Sequence, residues 1–219
     1  TGSGNVDVSK ADNLKVALEK SGFEVNPQLW DFYSVGEGVN YNRNASAGES
    51  AVLAGQSNIA EVPMDVYPED VKNSVASYGD AVIVTLSRVG GEGYDLEYQS
   101  MNYLAIDENE KAMLQWAADL KKAGSVGKII VLINTSNALQ MDFLKENPYE
   151  IDACLWIGGV GVKGINAVAD ILAGKVNPSG SLVDTYCYDN YSSPAMQNFV
   201  PTIYDGYDGS NIPSNAKSY

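Results

Sequence analysis

Histidine is absent from all 219 residues. That absence removes Ser-His-Asp and Cys-His nucleophilic chemistry, together with the common His-based metal sites. Catalysis, if present, must run on carboxylates, Lys, Tyr or Cys. Cysteine is scarce as well: Cys154 and Cys187 are the only two, too few for a disulfide framework. Both sit in strand-like apolar runs, so the expectation is two buried free thiols acting as small hydrophobes; neighbouring strands would leave a bridge open to them. No apolar run approaches the roughly 18–20 residues of a membrane span, and the first residues do not read as a signal peptide. Positive charge is also short, with 14 Lys and Arg against 28 Asp and Glu, a net −14. Such a field repels phosphate backbones, which argues against nucleic acid or an anionic membrane surface as partner. A neutral ligand such as a sugar is compatible with it, and acidity alone also serves solubility.

What is present is an alternation of apolar runs and amphipathic stretches. Ala81-Val82-Ile83-Val84-Thr85-Leu86 and Ile129-Ile130-Val131-Leu132-Ile133 are continuous β-rich runs, Ala153-Cys154-Leu155-Trp156-Ile157 is a third, and Leu182-Val183-Asp184-Thr185-Tyr186 is a weaker fourth. Runs apolar on both faces predict a mainly parallel sheet covered by helices. Asp107 with Glu110 three positions on spells a capping box before Ala112, Leu114, Trp116, Ala117 and Leu120. Residues 164–172 carry Ala167, Val168, Ile171 and Leu172 at helical spacing, with Gly174 past the end. Pro68 to Ser77 and a stretch around Leu14, Ala17 and Leu18 ending at Gly22 are further helices, with a short strand near Phe23–Val25. The fold class expected is α/β: a three-layer α/β/α sandwich, flavodoxin-like, over residues 1–191. Residues 192–219, rich in Ser, Pro, Asn, Tyr and Gly, read as an irregular extension. The opening Thr1-Gly2-Ser3-Gly4 is loop-like, without an initiator Met, so the first strand of such a sheet is expected upstream of it.

Ligands of open α/β sheets bind beyond the carboxyl ends of the strands, which singles out three loops. Ser87-Arg88-Val89-Gly90-Gly91-Glu92-Gly93-Tyr94-Asp95 follows the first strong strand and surrounds one glutamate with three glycines. Long loops of this kind are often functional, although a surface turn with a solvated Glu has the same spelling. Thr1–Gly4 could cradle a phosphate on backbone N–H groups, but lacks the full glycine spacing. Asn134-Thr135-Ser136-Asn137 closes the next strand and fits either a ligand contact or, more readily, a helix cap. Hydrolysis of a glycoside with retention needs two carboxylates about 5–5.5 Å apart, and Asp95 is the nearest candidate beside Glu92.

Three stretches together resemble the C-terminal sandwich domain of glycoside hydrolase family 3. The Ser87–Asp95 run is close to the family's S-R-x-x-G-E-G-Y-D-R pattern. Ile129–Asn134 followed by Ser136-Asn137 is similar to its V-V-L-N-x-G-x-P segment. The run from Asn166 to Leu182 matches N-A-x-A-D-V-L-x-G-x-x-N-P-S-G-x-L nearly throughout, and is the most specific of the three. Order and spacing agree from about residue 80 to 188. Within the third stretch, Asn177-Pro178-Ser179-Gly180 has a plain structural reading, a tight turn feeding the last strand.

The resemblance implies a retaining β-glycosidase of β-glucosidase type that hydrolyses terminal β-linked sugars. A (β/α)₈ barrel of the same protein would carry the nucleophilic Asp, and the sandwich would lend the general acid/base. Glu92 matches the acid/base position, and Arg88, Gly91, Tyr94 and Asp95 are by the same resemblance expected to bind substrate beside it. No cofactor or metal is implied. Leu96 replaces the Arg that often follows Asp95, and Gly161-Val162-Lys163-Gly164 replaces the usual G-Q-E-G. No stretch resembles the nucleophile motif or leaves room for a barrel, so the chain by itself is expected to be inactive. A non-catalytic α/β module holding a sugar or a phosphorylated ligand is the alternative.

Overall fold

The computed structural model describes residues 7–41, 61–88 and 104–194. The three strongest apolar runs form strands β1 (Val82–Ser87), β2 (Ile129–Asn134) and β3 (Ala153–Trp156), all parallel and in the order β1-β2-β3. Pairing runs from Val82 opposite Ile129 to Ser87 opposite Asn134, and from Ile130 opposite Ala153 to Ile133 opposite Trp156.

Strand side chains alternate between faces, and here each set meets its own apolar layer. Val84, Leu86, Ile129, Val131 and Ile133 pack with Met113, Leu114, Ala117 and Ala118 of helix α4 (Glu108–Lys122). On the other face Leu132, with Ile83, Ile130 and Leu155, packs with Ala17 and Leu18 of α1 (Leu14–Lys20) and Ile165, Val168 and Ala169 of α5 (Gly164–Leu172). Helices thus cover both faces of one open parallel sheet, the three-layer α/β arrangement expected. The central strand β2 is apolar from Ile129 to Ile133 because helices cover it on both faces, whereas β1 exposes Thr85 and β3 exposes Ala153 and Cys154.

Local signals set the helix ends. Asp107 accepts from the Glu110 amide and Glu110 accepts from the Asp107 amide, a complete capping box at the start of α4. Asn13 caps α1 by accepting from Val16 N. Two long-range bonds hold α1 to α5: Ser21 Oγ donates to Asp170 Oδ1 at 2.8 Å, and Asn166 Nδ2 donates to Asp12 Oδ2 at 2.9 Å. Helices α2 (Pro27–Ser34) and α3 (Glu69–Ser74) enclose a satellite cluster of Phe32, Val62, Tyr67 and Val71 that leans on Trp116 of α4.

Several expectations are corrected. Phe23–Val25 is not a strand but a coil between α1 and the Asn26 cap of α2. Helix α2 itself was signalled only by Asn26-Pro27, an N-cap residue followed by Pro at the first helical position. Leu182–Tyr186 forms no strand. Val183 is 84% exposed, Asp184 Oδ1 accepts from Thr185 N, and just past the run the Cys187 carbonyl accepts from Met141 N. An Asp bonding its own neighbour in this way competes with the ladder. Asn177–Gly180 therefore leads into exposed coil. Cys154 is exposed and Cys187 partly so, and both are free. The reason is that β3 lies at the sheet's edge among the described residues. The Thr1–Gly4 loop lies outside the described residues. Among them, no helix is long and apolar enough to cross a membrane.

Candidate active site at the carboxyl edge of the sheet

The parallel register brings Ser87, Asn134 and the chain leaving Trp156 to one edge. Side chains tie these exits together. Ser87 Oγ donates to Asn134 Oδ1 at 3.2 Å, and Asn134 Nδ2 donates to the Gly158 carbonyl at 2.6 Å. Trp156 Nε1 donates to the Thr135 carbonyl at 2.8 Å. Gly158 has φ +54°, and a Cβ there would stand 2.9 Å from Cζ2 of the Trp156 indole. The indole is held by its own hydrogen bond, so glycine is required for both backbone and packing reasons.

The Asn134–Asn137 loop is not a helix cap: coil and then a 3₁₀ turn at Asp142–Leu144 follow it. The buried Thr135 instead makes a local turn, its Oγ1 accepting from Asn137 N at 2.9 Å. Asn137 Oδ1 is buried without a hydrogen-bond partner among the described residues. An acceptor in that state is available to a donor brought to this edge.

Arg88, the residue leaving β1, is 7% exposed and turns inward. Its guanidinium meets Glu110 side-on, NH1 to Oε1 and NH2 to Oε2 both at 2.7 Å, the two-pronged geometry that Arg favours with carboxylates. NH1 also donates to the Ser87 carbonyl at 2.8 Å and NH2 to the Ala105 carbonyl at 2.7 Å. Glu110, 6% exposed, completes its shell with the Asp107 amide at 2.8 Å. Nearby, Gln140 N donates to the Leu104 carbonyl at 2.6 Å and Gln140 Oε1 accepts from Asn190 N at 3.0 Å. Of the candidate site residues, Arg88 is thus placed; Gly91, Glu92, Tyr94 and Asp95 lie outside the described residues.

A second buried acid was not singled out in the sequence. Glu61 Oε1 accepts from the Tyr33 hydroxyl at 2.6 Å, Val62 N at 2.7 Å and the Tyr67 hydroxyl at 2.9 Å, and the two phenols also touch. Burial pushes the Glu61 carboxyl above the usual carboxylate range against the pull of these donors, with Glu110 adding to the rise. Burial and the Glu61 charge push both phenols well above the ordinary tyrosine value. The Glu61 carbonyl accepts from Asn109 Nδ2 at 3.2 Å, so the cluster braces the start of α4. No local pattern reveals it, since Tyr33 joins Glu61 and Tyr67 from 28 positions before Glu61. Among the described residues no group of three or more His, Cys, Asp or Glu is placed to hold a metal ion.

Comparison with known proteins follows the same line. The model of the glycosyl hydrolase family 3 C-terminal domain matches residues 1–214. A beta-glucosidase of Ruminococcus albus is 29% identical over 210 residues, covering 94% of this chain and 20% of that protein. Beta-glucosidase A of Butyrivibrio fibrisolvens is 26% identical over 170 residues, 64% of this chain and 20% of the relative. A beta-glucosidase of Schizophyllum commune is 33% identical over 125 residues, 56% of this chain and 62% of the relative. The chain thus spans about a fifth of the length of the first two relatives. No solved structure matches. With both helical layers, the parallel sheet and a match over nearly its whole length, the chain belongs to the glycosyl hydrolase family 3 C-terminal domains.

Proposed function

We propose that this chain is the sandwich half of a retaining β-glucosidase, and that Glu92 is its general acid/base. The supporting observation is the placement of Ser87 and Arg88: the Ser-Arg-x-x-Gly-Glu-Gly-Tyr-Asp run leaves the carboxyl end of β1, where open α/β sheets bind ligands. The family match over residues 1–214 supports the same reading.

In this reading a (β/α)₈ barrel of the same protein supplies an Asp nucleophile. The Asp attacks the anomeric carbon as the glycosidic C–O bond breaks, and the Glu92 carboxyl gives its proton to the departing oxygen. The Glu92 carboxylate then takes a proton from water, whose oxygen displaces the Asp and releases the sugar. In this reading Arg88, Gly91, Tyr94 and Asp95 contribute to binding the substrate. The sandwich without its barrel has no nucleophile and is inactive.

The test is Glu92→Ala in the full-length protein, assayed on aryl β-glucosides. The expected result is a large loss on substrates with poor leaving groups, a small loss on activated ones, and recovery with azide as β-glucosyl azide. An unchanged rate on every substrate, or a loss that azide does not restore on an activated one, removes Glu92 from the role.

A further inference from the structure

The buried Arg88–Glu110 pair does more than fill space, because of what its atoms hold. One guanidinium reaches the Ser87 carbonyl before residues 89–103 and the Ala105 carbonyl after them, 17 positions away in sequence. One carboxylate accepts both guanidinium prongs and the Asp107 amide. The Leu104 carbonyl is tied separately to Gln140 N. We infer that Arg88 and Glu110 are positioning residues for the acid/base: a clasp that holds Ser87 and Ala105, on either side of residues 89–103 in sequence, together at the carboxyl edge of β1. The inference rests on the reading of Glu92 above and deepens it.

The physical argument is one of rigidity. Closing a stretch of this length has an entropic cost that rises slowly with its length, and a pair of neutral hydrogen bonds would hold the ends loosely. A planar fork fixes direction as well as distance, which a lysine cannot do. Both partners are buried, so water does not compete for the prongs. The reciprocal Asp107–Glu110 cap fixes the carboxylate to the first turn of α4, so the clasp is referred to the core helix. Arg88 in turn extends β1, and its amide donates to the Asn134 carbonyl at 3.4 Å.

Arg88→Lys in the full-length enzyme tests this, since it keeps the charge opposite Glu110 but cannot span both carboxylate oxygens and both carbonyls. A displaced acid hurts the reaction most where the leaving group needs a proton. The expected loss in kcat is ~10- to 100-fold on poor leaving groups, in line with a misplacement of about 1 Å. Activated aryl glucosides should change by less than about threefold, with KM nearly constant. Should the single change unseat the fold, the doubly neutral Arg88→Met/Glu110→Gln leaves no buried ion unpaired and retains the Gln cap on Asp107 N. Equal losses on both substrate classes, or no loss, overturn the clasp. Glu92→Ala in the same leaving-group series separates the two ideas: if it too lacks leaving-group dependence, the acid/base assignment fails, and if it alone shows it, only the clasp does.

Discussion

Ser87 and Asn134, the last paired residues of β1 and β2, are joined by their side chains at 3.2 Å where the backbone ladder ends. Asn134 carries the link onward to Gly158, so one amide stitches all three strand exits.

Asn134→Ala removes both bonds and strands the Ser87 hydroxyl and the Gly158 carbonyl. The expected destabilisation is about 1–3 kcal/mol, read as a lower urea midpoint with an unchanged slope. Asn134→Asp should do worse at neutral pH, because it turns a carboxylate oxygen toward the Gly158 carbonyl.

Leu132 is fully buried between the sheet and the α1–α5 layer. Leu132→Ala should cost about 2–5 kcal/mol through lost burial and a residual cavity. Thr85, exposed in the middle of β1, should tolerate Thr85→Ser within about 0.5 kcal/mol. Chemical denaturation of both variants side by side checks the contrast.

Asp152 sits where β3 begins and accepts from Lys121 Nζ at 2.6 Å, Ile129 N at 2.8 Å and Lys128 Nζ at 3.2 Å. The Lys121 bond, then the Ile129 amide, holds its carboxyl well below the usual range. A folded value below the unfolded one means stabilisation that is complete above the ordinary Asp value of about 3.9 and lost as pH falls toward the folded value. Asp152→Asn should lower Tm at pH 7 and flatten its decline in acid. A parallel decline in wild type and variant would remove Asp152 as a source of acid sensitivity.

Glu61 should show the opposite sign. Its folded value is raised, chiefly by burial, so its stabilisation is complete below the ordinary Glu range and declines as pH rises through the folded value. Glu61→Gln keeps an acceptor for the two phenols and Val62 N while removing the buried charge. The variant's Tm should exceed that of wild type at pH 8 and approach it at pH 4. A difference that does not change with pH would sink the linkage.

The sheet was readable in the sequence because Ile129–Ile133 is apolar at consecutive positions, as a strand covered on two faces requires, and Val82–Val84 begins a second such run. Helix α4 was readable because its cap is spelled within four residues, Asp107 to Glu110. Arg88 was harder. Its neighbours in sequence suggest a loop contact to sugar, yet its guanidinium meets a carboxylate 22 positions away, and no local pattern announces that meeting. The Glu61–Tyr33–Tyr67 cluster was hidden for the same reason. Leu182–Tyr186 misled in the other direction, since β-branched composition cannot overrule an Asp that bonds its own neighbour.

The seating of α1 on α5 has a consequence for biosynthesis. Ser21 and Asp170 lie 149 positions apart, so the ribosome finishes α1 long before its partner helix exists. At about 5–20 residues per second the wait is roughly 7–30 s, during which Ala17 and Leu18 have no helix to cover them. Nascent chains therefore carry an uncovered greasy stripe until α5 is made. Slowing translation between the two helices should lengthen the interval in which a chaperone, or another nascent chain, can bind that stripe.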